Sequence, residues 1–306
     1  MNKNRNLFVL IALGIMWSSF SVFTKVSAEV FSPYFVAFAR LFLGGTLLYL
    51  VALFSKKKVF VAKNFKHYAI VGFFNSAMPF TLFAVAAKQL DSGIVAILDG
   101  TVPMFEVLIS ILILKKHVGK NAIFGVCFGV VGIVITSYGS VGSFNLSLTQ
   151  ILAILAILAA TFSYAGATLY VSAKSGNIDS MILATGSVIF SAILLSPSVF
   201  FVDLSLLGDV KVLSSLLGLG LLCTGIAYIF YFKLLAEEGA RTAVSVVLLI
   251  PVFGTIFGMM VLGESITISK IVGCIAILAS LKFILNLSSE NFFKTKNSLA
   301  KNAPVI

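Results

Sequence analysis

Phe80-Thr81-Leu82-Phe83 returns 148 residues later as Tyr228-Ile229-Phe230-Tyr231, and in the same register Gly72 falls on Gly220, Pro103 on Pro251 and Gly125 on Gly273. Apolar helices match one another easily by chance, so the glycine and proline coincidences carry the weight. They divide the 306 residues into two related halves. Hydrophobic residues make up 59% of the chain and charged residues 11%, against roughly 45–50% and about 25% in soluble domains. Such a chain lacks the polar residues to cover a surface in water. Its solvent is lipid, in which each crossing helix needs about 20 mostly apolar residues.

Apolar runs bounded by charge, Gly, Pro or Asn place helices at 7–25, 33–54, 67–88, 92–114 and 119–138, then at 148–173, 179–202, 212–235, 239–262 and 266–286. The expected domains are therefore a first five-helix repeat over 7–138 and a second over 148–286. Residues 287–306, polar and rich in Lys and Asn, are expected to form a disordered cytoplasmic tail. Five is odd, so the second half enters the membrane in the opposite sense. The fold class is an all-α integral membrane protein, ten transmembrane helices as two inverted five-helix repeats, an arrangement that in carriers presents a central site to alternate sides. Lys3 and Arg5 before the first apolar run, with Val26-Ser27-Ala28 after it, imitate a signal peptide. The run from Leu7 to Phe23 is longer than a signal core and Lys25 crowds the would-be cut, so helix 1 is expected to stay.

The net charge of +11 does not point to nucleic acid, because the bases fall in short clusters between apolar runs, most visibly Lys56-Lys57-Lys58 with Lys63 and Lys66. With the N-terminus inside, one side of the membrane holds fifteen basic residues and the other only Lys25, Lys88, Lys211 and Lys270. Basic loops stay cytoplasmic, so both termini are expected in the cytoplasm and the chain in the cell's inner membrane. Cys127, Cys223 and Cys274 all lie inside apolar runs, which argues against a disulfide framework.

Several ordered motifs resemble the ten-helix, EamA-type members of the drug/metabolite transporter superfamily. They are Leu13-Gly14-Ile15-Met16-Trp17-Ser18-Ser19, Ala39-Arg40-Leu41-Phe42-Leu43, the two proline-containing helices, and Val261-Leu262-Gly263-Glu264 followed by Ile271-Val272-Gly273. The resemblance spans about residues 7 to 286 and implies a solute carrier, often an exporter of amino acids or other small metabolites. One departure is visible: Glu264 ends helix 9 as the family pattern expects, but its repeat partner is Lys116. A role shared by two symmetric acids is not implied here.

Polar groups deep in a bilayer cost several kcal/mol unless paired or hydrated, so each is a candidate for function. Arg40, Asp99 and Glu106 are the deepest charges, with Asn75, Ser18, Ser19 and Thr81 beside them, whereas Lys25, Lys88, Lys233 and Lys282 lie near helix ends. On one continuous helix Asp99, Pro103 and Glu106 share a face, since seven residues return to within about 20° of the start. Pro103 and its counterpart Pro251 each free a backbone carbonyl near mid-membrane. Arg40 and Asp99 sit at equal depth, so an ion pair between them is expected, either as a structural clamp or as a gate or solute contact. That leaves Glu106 as the unpaired acid, placed to take a proton or a solute's amino group. Trp17, near mid-helix among serines, and Tyr228 are the aromatic candidates for the pathway, with Tyr164, Phe80 and Tyr231 behind them. Gly125/Gly129 and Gly254/Gly258 have the small-xxx-small spacing of helix packing, within the chain or between two copies.

These residues support a secondary carrier for a small polar, amino-acid-like solute, working by alternating access with export and proton coupling expected. The partners are that solute, protons and the lipid bilayer, with no nucleic acid, in a monomer or homodimer. No cofactor, metal or catalytic residue is expected: His67 and His117 fall at helix boundaries without ligand spacing, and no Gly-Lys-Ser/Thr phosphate loop occurs. A drug-efflux or uptake carrier of the same fold is the alternative, and a membrane enzyme or channel the alternative of another class. A small multidrug-type proton antiporter is expected by resemblance to carry a key acid in helix 1, where this chain has Trp17-Ser18-Ser19.

Overall fold

The structure, a computed structural model, describes residues 3–115, 117–139, 147–175 and 178–288. Lys116 and the tail beyond residue 288 lie outside the described residues. Every regular element among the described residues is helical. Nine helices there are long and apolar enough to cross a membrane: α1 Arg5–Val30, α2 Pro33–Phe54, α3 Ala62–Ala87, α4 Ser92–Leu112, α5 Lys120–Ser137, α6 Leu148–Lys174, α7 Ser180–Phe201, α8 Val210–Gly239 and α9 Ser245–Leu262. The tenth, α10, covers Ile268–Ser288 and packs along α5.

Short polar caps set several helix starts. Ser32 accepts the Phe35 N–H ahead of Pro33 in α2, Ser147 and Gln150 form a reciprocal capping box at α6, and Asp179 and Asp209 cap α7 and α8. Each satisfies backbone donors that the first turn leaves without helical partners. At the end of α9, Gly263 takes the left-handed conformation (φ 69°) that closes a helix, a conformation an L side chain resists.

The interior of the helices departs from the regular spans expected, and the departures repeat. α3 contains a π-helical turn at Phe73–Ala77, and α8 one at Gly218–Ile226. α4 is two helices, Ser92–Asp99 and Val102–Leu112, and α9 is a 3-10 segment, Ser245–Leu249, followed by Ile250–Leu262. The second pieces begin at Val102 and Ile250, the same interval that separates Pro103 from Pro251, and each proline takes a first-turn position where its missing N–H costs nothing. α1 is interrupted at Ser19, where Ser18 Oγ donates to Gly14 O and Ser19 Oγ to Met16 O. Such back-bonding bends helices.

Packing between the halves has the same two-fold logic. α2 lies on α7, α4 on α9 and α5 on α10; α2 on α8 is mirrored by α7 on α3, and α3 on α6 by α8 on α1. A Cβ on Gly220 would stand 3.2 Å from Arg40 O on α2, and one on Gly72 would stand 2.6 Å from Ser187 O on α7. The four small-xxx-small glycines meet their own chain: Gly125 and Gly129 face Ser280 of α10, Gly254 faces Ala96, and Gly258 faces Ser92. The α5–α10 seam is tightest at Gly273, where an added Cβ would overlap the Thr136 hydroxyl and stand 3.0 Å from the Thr136 backbone nitrogen. Gly273→Ala is expected to destabilise the protein by about 1–3 kcal/mol through overpacking. Gly166→Ala, whose Cβ meets nothing within 4 Å, is expected to melt at or above the parent. Equal melting temperatures for the two variants would refute this.

Candidate functional site

Where α2 and α8 approach through Gly44 and Gly220, Arg40 lies only 8% exposed. Its Nε donates to Thr224 Oγ1 at 3.0 Å. Thr224 in turn donates to Leu219 O, five residues back, a bond its π-helical turn makes available. The guanidinium carbon stands 3.7 Å from the Phe80 ring centroid and 5.7 Å from that of Phe20, cation–π contacts that gain strength when desolvated. Trp17 stands against Tyr231 and Tyr228 with centroids 5.3 and 6.5 Å away. Tyr164 touches Phe80 and Phe83 and shares the electrostatic field of Arg40 with Tyr228. The cluster thus draws side chains from α1, α2, α3, α6 and α8, across both halves. Trp17, Tyr164, Tyr228 and Tyr231 are each half-buried.

The two acids approach from α4. Asp99, half-buried, ends its first helix and lies in the field of Arg40. The direct Arg40–Asp99 ion pair expected from depth is not formed among the described residues. Arg40 extends instead toward α8, its Nε taken by Thr224 and its flat face by Phe80. Glu106, also half-buried, follows on the second helix beside Thr168 of α6 and within electrostatic range of Tyr231. The shared-face argument for Asp99, Pro103 and Glu106 assumed an unbroken helix, and the break at Gly100–Thr101 removes that premise. Both acids still sit beside the aromatic cluster because the break is fixed: the Thr101 hydroxyl bonds Leu98 O and reaches Thr161 of α6 at 3.1 Å.

Pro103 is buried in the new first turn of α4. Pro251 is buried too and packs against the α4 break, 3.4 Å from where a Cβ on Gly100 would stand. Asn75 lies half-buried in the π-helical turn of α3, and no hydrogen bond, ion pair or ring contact among the described residues ties it to Arg40. Sequence reasoning missed Phe20, Thr224 and Cys223, which donates to Met16 O beside Ser19. Only the inter-half repeat hinted at them, since Thr224 occupies the turn equivalent to Ser76.

A second polar cluster closes one end of the bundle. Glu264 accepts from the backbone N–H of Ser92 at 2.6 Å and of Gly93 at 3.1 Å, so a residue of the α9–α10 connection caps α4, where the helix dipole favours an anion. Lys270, counted from the sequence among the few basic residues of this side, is 2% exposed and donates to Asp91 Oδ2 and Ser265 O, both at 2.7 Å. Lys25 donates to Leu90 O at 3.0 Å. Every residue from Ser92 to Leu98 is buried. At the opposite, Lys57 face the ion pairs are exposed, Lys57–Asp179 at 2.7 Å and Arg5–Glu237 at 2.9 Å, pairs of a kind worth about 0–1 kcal/mol, and they stand beside a buried bond from Tyr68 Oη to Val59 O at 2.6 Å.

Two inverted five-helix bundles, broken at matching prolines around one buried arginine, define a multi-pass membrane protein of the inverted-repeat transporter class. The chain belongs to the EamA-like transporter family, which matches residues 4–138 and 151–286. Among similar proteins, the uncharacterized transporter YoaV of Bacillus subtilis (strain 168) is 25% identical over 271 residues, covering 88% of this chain and 92% of that one. An uncharacterized transporter of Archaeoglobus fulgidus is 21% identical over 268 residues, 87% of this chain and 94% of its own. A solved crystal structure shares the fold with a TM-score of 0.66 at 16% identity, over 95% of this chain and 100% of that one.

Proposed function

We propose that the protein is a secondary-active carrier that moves a small polar, amino-acid-like metabolite by alternating access around Arg40, in the export direction and coupled to protons at Glu106. The observation that carries the reading is Arg40: a buried charge held between the two halves against aromatic rings, with the half-buried Asp99 in its field and the half-buried Glu106 within electrostatic range of Tyr231 in the same cluster. Buried intramembrane charges mark solute and ion pathways by default. Polar ties at both ends of the bundle, Glu264 and Lys270 at one and the Lys57–Asp179 and Arg5–Glu237 pairs with the buried Tyr68–Val59 bond at the other, support switching rather than an open channel. The basic clusters of the sequence assign the Lys57 face, with both termini, to the cytoplasm of a cell whose inner membrane holds the protein.

A thermal-shift screen of amino acids and related metabolites on purified protein finds the solute, since a binder raises the melting temperature by mass action. Flux of that solute into proteoliposomes, with and without an imposed pH gradient, then tests coupling. Glu106→Gln is expected to abolish the gradient-driven component while melting within a few degrees of the parent, because the amide keeps the shape of the acid but holds no exchangeable charge. Unchanged flux and pH dependence in this variant would remove Glu106 from the mechanism.

A further inference from the structure

A guanidinium carries five N–H donors in a planar fork. In Arg40 the Nε donor goes to Thr224 and the flat faces to Phe80 and Phe20. The four donors on its two terminal nitrogens have no hydrogen-bond or ion-pair partner among the described residues. The residue is more than nine-tenths buried, and those two nitrogens are not among the fully enclosed polar atoms without a partner, so they hold part of the little surface the residue keeps. Those donors form the edge that pairs with a carboxylate through two parallel bonds. Asp99, Tyr164 and Tyr228 lie within electrostatic range of the guanidinium, and Trp17 stands against both Tyr228 and Tyr231.

Resting on the transporter reading, we infer that the solute is a monocarboxylate: its carboxylate binds in bidentate fashion to the terminal nitrogens of Arg40, and its body lies against Trp17, Tyr228 and Tyr231. Charge disfavours ligands with more than one negative charge. Asp99 already lies in the field of the single guanidinium, so a phosphate or dicarboxylate would bring more negative charge than Arg40 can offset, whereas an amino acid, neutral as a zwitterion, could turn its ammonium group toward Asp99.

Trp17 is the single tryptophan of the chain, so intrinsic fluorescence of the purified protein reports this site directly. The probes are the twenty L-amino acids and a set of small aliphatic and aromatic monocarboxylates, each beside its primary amide, with inorganic phosphate and the corresponding amines as further arms. The expected result is saturable change with one or more free acids, at least about tenfold weaker for the matching amide, and none with phosphate. Amino acids that bind better than their deaminated acids identify the zwitterion as the ligand; the reverse identifies a simple acid, and either result supports the carboxylate contact. Equal affinity of acid and amide, a response confined to amines or phosphate, or silence toward every carboxylate overturns the inference. The transporter reading fails separately: a carboxylate that binds but shows no flux in proteoliposomes sinks the reading and leaves the contact, while flux of a solute without a carboxylate does the opposite.

Discussion

Arg40→Gln is expected to reduce solute flux at least about thirtyfold, the scale set by removing one member of a desolvated charged contact worth about 2–5 kcal/mol. The residue is 8% exposed and makes its one hydrogen bond among the described residues through Nε. Glutamine removes the charge that Asp99, Tyr164 and Tyr228 all experience and the cation over the Phe80 ring. A purely structural clamp predicts something different: lower melting temperature, but normal flux per folded molecule. Thr224→Ala separates the two. It deletes the Nε anchor while leaving the guanidinium, so it is expected to cost about 1–3 kcal/mol of stability and far less flux than Arg40→Gln. If both variants lose flux only in proportion to folded protein, Arg40 is a clamp.

Asp91→Asn is expected to produce the second large effect. Lys270 is 2% exposed, and its ammonium is held by Asp91 and Ser265 O. Breaking a buried pair by removing one partner costs about 3–5 kcal/mol, because the other charge stays buried. The Asp91 side chain is 42% exposed, which places the expected loss nearer to about 2 kcal/mol after solvent screening. Lys57→Gln removes a pair of similar length whose partners are 35% and 43% exposed, and is expected to change stability by less than about 1 kcal/mol. Thermal melts of the two variants check the contrast. Glu264→Gln adds to it: Ser92 and Gly93 donate to different carboxylate oxygens, so the amide keeps one acceptor and sets its NH2 against the other donor, and the loss is expected to exceed the about 0.3–1 kcal/mol of the charge–dipole part alone.

Much of this architecture is legible in the chain. Apolar runs of spanning length and the paired glycines and prolines locate ten helices and two halves. The prolines do not announce that each opens a new helix. A continuous span and a broken one carry the same apolar composition, and only the packing of Gly100 against Pro251 and Ile277 distinguishes them. The π-helical turns of α3 and α8 leave no periodic trace for the same reason. Arg40 stands out because a lone charge in an apolar run always does, but its bond to Thr224 joins residues 184 positions apart. Depth alone favoured Asp99 as its partner. Lys270 resembles any basic residue at a helix start, and what buries it is Asp91 and Ser265, which the fold brings together from different halves.

Alternating access itself is tested most directly by labelling Ser19→Cys in a protein whose Cys127, Cys223 and Cys274 are replaced by serine. Ser19 is half-buried beside Cys223, at the edge of the Arg40 cluster, and an impermeant thiol reagent can be supplied to either face of the membrane in turn. Labelling from the Lys57 face is expected to be the faster in the parent protein. Adding Asp91→Asn should slow it while speeding labelling from the Glu264 face, since one equilibrium governs both. Rates that rise together from the two faces, or that ignore the Asp91 substitution, would contradict a switching carrier.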